Sequence, residues 1–380
     1  MRILFLTHSF NGLAQRLFSE LVARGHEVSV EFDVNDHLTQ EALALYQPDL
    51  LLAPFLKRAI PAAVWQSIPC LVVHPGVVGD RGPSSLDWAI MEAERQWGVT
   101  VLQANAEMDA GDVWSSVSFA MRSASKSDLY RREVADAATD AVITALERYQ
   151  QGEEPVPLDY TKPGVRGKLR PHMKQADRAI DWLLDDTMTI LRKLQAADSF
   201  PGILDTIAGA RYYCYDGHVE DSLRGAAGTI IAQRHGAICR ATRDGAIWLG
   251  HLKSAADHGL KLPAAMVLGD RSGTVPAVET ALWMNDTGSR TYRDIYYQES
   301  NQVGYLHFDF YNGALSTEQC RRLLEAYRFA ASRPTRVIVL MGGKSFWSNG
   351  IHLNVIEAAP SPADESWANI NAIDDLTLAI

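Results

Sequence analysis

The amino-acid sequence predicts an α/β protein in three parts: a parallel sheet covered by helices, a small β-barrel, and a further segment of strands and helices. Three observations carry this expectation. Residues 1–120 alternate short apolar runs with helical patterns, the signature of a parallel sheet. Residues 165–270 contain short strands separated by glycine-bearing turns, as in a small barrel. Near the end of the chain a strand, a capped helix and a second strand follow in order.

The elements are read in sequence as follows. Ile3-Leu4-Phe5-Leu6 is a strand, and Ala14 to Ala23 is a helix closing near Arg24-Gly25. Val28-Ser29-Val30, Leu50 to Ala53 and Leu71-Val72-Val73 are the next strands. The run GVTVLQANAEMDAGD gives another, ending at Asp109. Ser127-Asp128-Leu129 opens a long helix to about Gln150. GEEPVPLDYTKPGVRGK is a linker by composition. A helix containing Ile180-Asp181-Trp182 and Arg192 precedes the barrel strands. VGYLHFDFYNG and RVIVLMGG are strands, and between them Ser316-Thr317-Glu318-Gln319 has capping-box spacing and starts a helix to about Ala331. The expected domains are 1–155, 165–270 and 285–380. The last ends within a helix, which points to a longer natural protein.

The 380 residues allow two or three domains, and 47% hydrophobic with 22% charged residues is ordinary globular composition. A net charge of −10 argues against broad nucleic-acid or anionic-membrane binding. The four cysteines (Cys70, Cys214, Cys239, Cys320) are scattered, which gives no zinc or disulfide framework and fits the reducing cytoplasm. His8, His26, His218, His235 and His251 show no metal spacing. The opening MRILFLTHS is too short in its apolar run for a targeting sequence, and no run reaches the length of a membrane-spanning helix.

The candidate chemistry lies between His74 and Asp112. His74 follows the apolar strand Cys70-Leu71-Val72-Val73, and the turn Arg81-Gly82-Pro83 comes next. Ligands of parallel sheets bind beyond the carboxyl ends of strands, where His74 and the Phe55-Leu56-Lys57-Arg58 loop are expected. Histidine moves protons near neutrality, and a carboxylate such as Asp109 would fix its tautomer. Gln15, early in the first helix, and Lys57 and Arg58 are further residues that could face the same cleft.

These segments resemble folate-dependent formyltransferases. His74, Arg81-Gly82, Trp88-Ala89-Ile90, Gly98-Val99-Thr100 and Asp109-Ala110-Gly111-Asp112 fall in register with that family over roughly the first 270 residues. The resemblance implies a Rossmann-like N-terminal domain and a C-terminal barrel. It also implies 10-formyltetrahydrofolate as the formyl donor, His74 and Asp109 as catalytic residues, and Arg81, Gly82, Trp88 and Ile90 as binding residues. One position departs: the family's asparagine two residues before the histidine is Val72, which has no hydrogen-bond donor. Asn105 and Gln103 are candidate replacements.

The last segment is similar to the beginning of the enoyl-CoA hydratase/isomerase (crotonase) family. Trp347-Ser348-Asn349-Gly350-Ile351-His352-Leu353 occupies its first oxyanion-hole segment. Trp347, Ser348 and Gly350 would then hold a coenzyme A thioester, while His352 replaces the usual aspartate. The combination resembles a family of nickel–iron hydrogenase maturation proteins. In that reading a formyl group passes from the folate to coenzyme A, and formyl-CoA then loses carbon monoxide for the hydrogenase iron. Other maturation proteins would be partners, and neither nucleic acid nor membrane is expected. Three alternatives remain open at this stage: a methionyl-tRNA formyltransferase, a 10-formyltetrahydrofolate hydrolase, and a non-catalytic maturation scaffold.

Overall fold

The computed structural model describes residues 1–256, 259–284 and 288–380, so residue 285, the expected start of the third segment, lies outside the described residues. The chain forms two compact units, Met1–Asp177 and Arg178–Ile380.

The first unit contains, in order, β1 (Arg2–Thr7), α1 (Gly12–Ala23), β2 (Glu27–Phe32), α2 (Asp36–Tyr46), β3 (Leu50–Phe55), α3 (Ala62–Trp65) and β4 (Cys70–His74). Then come α4 (Ser85–Met91), β5 (Gln96–Gln103), β6 (Val113–Ala120), α5 (Lys126–Leu129) and α6 (Ala135–Gln150). The sheet order is β2-β1-β3-β4-β5-β6. The first four strands are parallel, and β5 and β6 add an antiparallel edge. Continuous apolar runs such as Ile3-Leu4-Phe5-Leu6 are buried because helices cover a parallel sheet on both faces. The helix expected from Ser127 is interrupted: Ser125 caps α5, and a π turn at Tyr130–Val134 leads into α6.

Two sequence expectations change here. The strand through GVTVLQANAEMDAGD stops at Gln103, so Asp109 sits in the following turn rather than at a strand end. Asn105 ends the strand by folding its side chain back to accept the Glu107 amide at 2.9 Å. The segment that composition reads as a linker is instead an ordered arm against this unit. Val156 pairs with Val113, the Gly167 amide donates to the Val78 carbonyl at 3.0 Å, and the Arg170 amide donates to the Arg81 carbonyl at 2.8 Å. The arm approaches so closely that only glycines fit. A Cβ on Gly167 would lie 1.8 Å from the Asp80 nitrogen, and one on Gly82 would lie 2.1 Å from the Arg170 carbonyl oxygen.

The second unit begins with α7 (Thr187–Ala197), capped by Asp186. Ile180-Asp181-Trp182 lies ahead of this helix, in a turn where Asp181 accepts the Leu183 and Leu184 amides. β7 (Ile203–Ile207), β8 (Ala210–Glu220), β9 (Ile230–Arg234), β10 (Ala237–Ala241) and β11 (Ala246–Ser254) form an antiparallel sheet ordered β7-β8-β11-β10-β9. β12 (Lys261–Pro263) pairs with β11, and α8 (Ala264–Leu268) follows. β13 (Ile295–Ser300), β14 (Val303–Phe308), α9 (Thr317–Ala331) and β15 (Val337–Gly342) then build a three-stranded sheet, with β14 and β15 parallel. α10 (Leu353–Ala358) and α11 (Pro362–Ala379) complete the chain. Ser316 and Gln319 form both halves of the expected capping box.

Gly167→Ala is expected to displace the arm and destabilise the protein by about 1–3 kcal/mol, the usual range for overpacking. Thermal denaturation checks this, and an unchanged midpoint would show that the arm does not depend on the close approach.

Candidate functional site

His74 ends β4, whose residues Cys70, Leu71 and Val73 are buried among apolar neighbours. The turn after it is fastened from three sides. The Trp97 indole N–H and the Ser85 hydroxyl donate to the Pro75 carbonyl at 2.9 Å, and the Thr100 hydroxyl donates to the Gly76 carbonyl at 2.8 Å. The loop then folds back so that Asp80 reaches the histidine it follows. A Cβ on Gly76 would lie 2.4 Å from His74 Nε2 and 2.6 Å from Asp80 Oδ2, so this return path needs a glycine.

The imidazole lies between two carboxylates. His74 Nε2 is 3.0 Å from Asp80 Oδ2, and Nδ1 is 3.5 Å from Asp109 Oδ1. Asp80 is fully buried, and its other oxygen accepts from Arg170 Nε at 2.8 Å. Arg170 also donates to Glu92 at 2.6 Å and lies against the Trp97 ring. Asp109 is more open, at 12% side-chain exposure, and adopts a left-handed backbone with φ of 58°. The Gly82 amide donates to its Oδ2 at 3.2 Å. Gly111 permits the turn, since a Cβ there would meet the Gln103 carbonyl oxygen at 1.7 Å.

Burial alone would push His74 toward its neutral form. The hydrogen bonds and charges of Asp109 and Asp80 outweigh that and raise its pKa to about 9. Burial works against the Asp109 carboxylate, but His74, the Gly82 amide and Arg81 together hold its pKa below the usual value. At neutral pH the site therefore holds an imidazolium with a carboxylate on each ring nitrogen.

The other residues singled out from sequence are placed as follows. Arg81 pairs with Glu107 and lies over the Tyr160 ring, while its buried Nε meets no acceptor among the described residues. The Trp88 indole donates to the Pro171 carbonyl at 2.8 Å and so fastens the arm, and Ile90 is buried in the first unit. Arg58 is held by Asp33 and Asp36, Lys57 is exposed, and Gln15 folds back onto the Phe10 carbonyl. Val72 lies opposite Leu102 and beside Ala53 in an apolar setting. Neither suggested donor reaches it. Gln103 is opposite Leu71, hence on the other face of the sheet, and accepts from the Trp114 indole. Asn105 is committed to the turn it caps.

Asp80 and Arg170 were not found from sequence. Asp80 lies in the loop just before Arg81-Gly82 and could have been suspected as a carboxylate near the histidine. Arg170 gave no signal, because it lies beyond what reads as a linker.

In the second unit, Trp347 is exposed and its indole donates to the Leu340 carbonyl at 3.0 Å. The Asn349 amide donates to Gly313 and the Gly350 amide to the Ser348 hydroxyl, whereas the Trp347 and Ser348 amides meet no acceptor among the described residues. Gly350 has a φ of 78°. His352 caps α10, with Nδ1 accepting the Val355 amide at 3.3 Å. That bond needs a neutral ring, and burial together with the nearby charge of His251 lowers the His352 pKa to about 4. Among the described residues, no group of three or more His, Cys, Asp or Glu side chains could hold a metal ion, and no helix is long and apolar enough to cross a membrane.

Residues 20–146 match the family Formyl transferase, and residues 172–265 match its C-terminal domain. The hydrogenase maturation factor HoxX of Bradyrhizobium diazoefficiens is 53% identical over the whole chain, which spans 65% of that protein. A methionyl-tRNA formyltransferase of Stenotrophomonas maltophilia is 26% identical over 66% of this chain and 82% of its own length. The crystal structure of HypX from Aquifex aeolicus in complex with tetrahydrofolic acid superposes with a TM-score of 0.95 at 48% identity, covering all of this chain and 66% of that one. A substituted variant of the same protein gives the same TM-score and identity over 69% of its chain. With the formyltransferase domains and this likeness along its whole length, the chain belongs to the HypX/HoxX family of hydrogenase maturation factors.

Proposed function

We propose that this chain transfers the formyl group of 10-formyltetrahydrofolate to coenzyme A, as the first half of a route to carbon monoxide for the active-site iron of nickel–iron hydrogenase. The observation that carries the proposal is the buried His74, held as an imidazolium between two carboxylates at the carboxyl end of β4. The tetrahydrofolic acid in the Aquifex aeolicus structure supports a folate donor.

The chemistry follows from the charges. The folate N10 is a poor leaving group until it is protonated, and an imidazolium can supply that proton or stabilise the tetrahedral oxyanion. Asp109 orients His74 on its more open side and helps move protons. Arg81, with its unpaired buried Nε, and Gly82 are the binding residues nearest this pair, whereas Trp88 fastens the arm and Ile90 is buried in the first unit. The thiol sulfur attacks the formyl carbon, the carbon–N10 bond breaks, and the thiol proton is balanced by the proton delivered to N10. The charge on His74, two residues along the strand from Val72, would stabilise negative charge there in place of the missing asparagine.

The second step belongs to the same proposal. Residues 285–380 are read as crotonase-like, and in that reading the Trp347 and Ser348 amides, with Gly350 allowing close approach, polarise the formyl-CoA carbonyl. Formyl-CoA then yields carbon monoxide and free coenzyme A, which balances without an oxidant. The setting is the cytoplasm, and the partners are other hydrogenase maturation proteins.

Turnover of 10-formyltetrahydrofolate with and without coenzyme A tests the reading. Loss of the formyl-folate that requires coenzyme A, with carbon monoxide trapped by haemoglobin, is the expected result for the complete two-step reaction. Formate released without coenzyme A would instead identify a hydrolase. His74→Ala is expected to lower formyl-folate turnover by about 10²–10⁴-fold, the range for loss of general acid–base catalysis. Unchanged turnover would remove His74 from the mechanism. Because the imidazolium is the active form, kcat/KM for formyl-folate is expected to hold through neutral pH and fall as the pH rises through about 9. A fall near 6.5, the ordinary value for histidine, would show that the carboxylates do not hold His74 charged.

A further inference from the structure

The notable feature outside the His74–Asp109 pair is a second, fully buried carboxylate whose counter-charge comes from the arm. Asp80 contacts His74 Nε2 at 3.0 Å with one oxygen and accepts from Arg170 Nε at 2.8 Å with the other. Both side chains are essentially inaccessible, at 0% and 4% exposure. The arm is tied to this loop by its backbone as well as by Arg170: Gly167 donates to Val78, Arg81 donates to Lys168, and Arg170 donates to Arg81. Gly76, Gly82 and Gly167 are the positions at which a side chain would push this arrangement apart.

We infer that Asp80, clamped by Arg170 of the arm, is a positioning residue that fixes the His74 ring by its Nε2 edge and leaves the Nδ1 edge, with Asp109, as the working side. This inference rests on the formyl-transfer reading for its kinetic consequences, although not for the geometry itself. The exposure pattern supports it. The Nε2 edge is closed off by Gly76, Asp80 and Arg170, whereas Asp109 on the Nδ1 edge retains access. Hydrogen bonding also supports it. A charged imidazole has two N–H donors, and Asp80 accepts from the one at Nε2 and so fixes the plane of the ring. The charged groups facing the ring and its partners form a line: Glu92, Arg170, Asp80, His74 and Asp109, with Arg81 and Glu107 flanking Asp109. In that line Arg170 holds Asp80 in place, and Asp80 keeps His74 oriented and charged.

The test uses the full chain with Asp80→Asn, Arg170→Gln and Arg170→Lys, and with His74→Gln to assign the His74 signals. Nitrogen-15 NMR of histidine-labelled protein follows His74 with pH and reports which ring nitrogen carries the proton as it becomes neutral. In the unsubstituted protein the titration is expected near pH 9. Asp80→Asn is expected to move it down by at least one pH unit, and the alkaline limb of formyl-folate turnover should move with it. Arg170→Gln is expected to lower kcat at least tenfold with KM within twofold, and Arg170→Lys is expected to restore most of the loss. The inference is overturned if Asp80→Asn leaves the His74 titration in place. It is also overturned if the Arg170 variants lose activity only in proportion to lost folded protein, with no difference between Gln and Lys. If the unsubstituted protein does not consume formyl-folate, the functional reading fails, while the NMR titration still decides the role of Asp80.

Discussion

The buried Asp80 carboxylate, shared between His74 and Arg170, is the constraint on which the rest of the site depends. A charge so deeply enclosed is tolerated only when paired and hydrogen-bonded, because removing one partner strands the other without water. Meeting that condition brings together three pieces of chain that are distant in sequence: the end of β4, the loop through Arg81 and the arm ending at Arg170. The glycines at 76, 82 and 167 follow from the same requirement. Each stands where a single extra carbon would meet a ring nitrogen or a backbone atom of the converging pieces. The turn carrying Asp109 joins through the Gly82 amide, so both carboxylates on His74 are held by one loop.

How much of this could be read from sequence depended on the range of the interaction. The strands from Ile3 to Val73 and the capped helix from Thr317 are recorded in local periodicity and local hydrogen bonds, so they were legible. His74 was legible because it ends an apolar strand. Asp109 was legible as a residue but not as a conformation: Asn105 ends the strand early and leaves Asp109 in a left-handed turn. Arg170 was not legible. It pairs with a carboxylate 90 residues away, and the intervening segment has the composition of a linker because it forms little regular structure. Its order comes from backbone bonds to another loop, which leave no periodic trace.

Gln103 shows a different kind of miss. Its proximity in sequence to the second strand suggested a donor, but sheet register decides the question. Opposite residues of an antiparallel pair share a face, so Gln103 goes with Leu71, while His74 goes with Thr100. No rotation of its side chain brings Gln103 across the sheet. Once strand pairing is known the answer is forced, whereas without it both faces are equally available. His352 is the converse case. The sequence resemblance left open what a histidine does at that position, and the structure gives it a role of its own, capping α10 through Nδ1.

His74 and His352 are therefore held in opposite charge states, and their surroundings explain why. His74 and His352 are similarly buried, and burial disfavours the charged form of each. His74 faces a carboxylate on each nitrogen, which overcomes burial and keeps it an imidazolium. His352 uses one nitrogen as an acceptor and lies near another histidine whose charge adds to the effect of burial, so it stays neutral. The difference bears directly on the proposed reaction. Val72 offers no donor to the formyl group in the proposed reaction, and the charge on His74, a donor two residues along the same strand, would stabilise an oxyanion there. Such a donor persists only while its charge is balanced from behind, and Asp80 and Arg170 occupy that position.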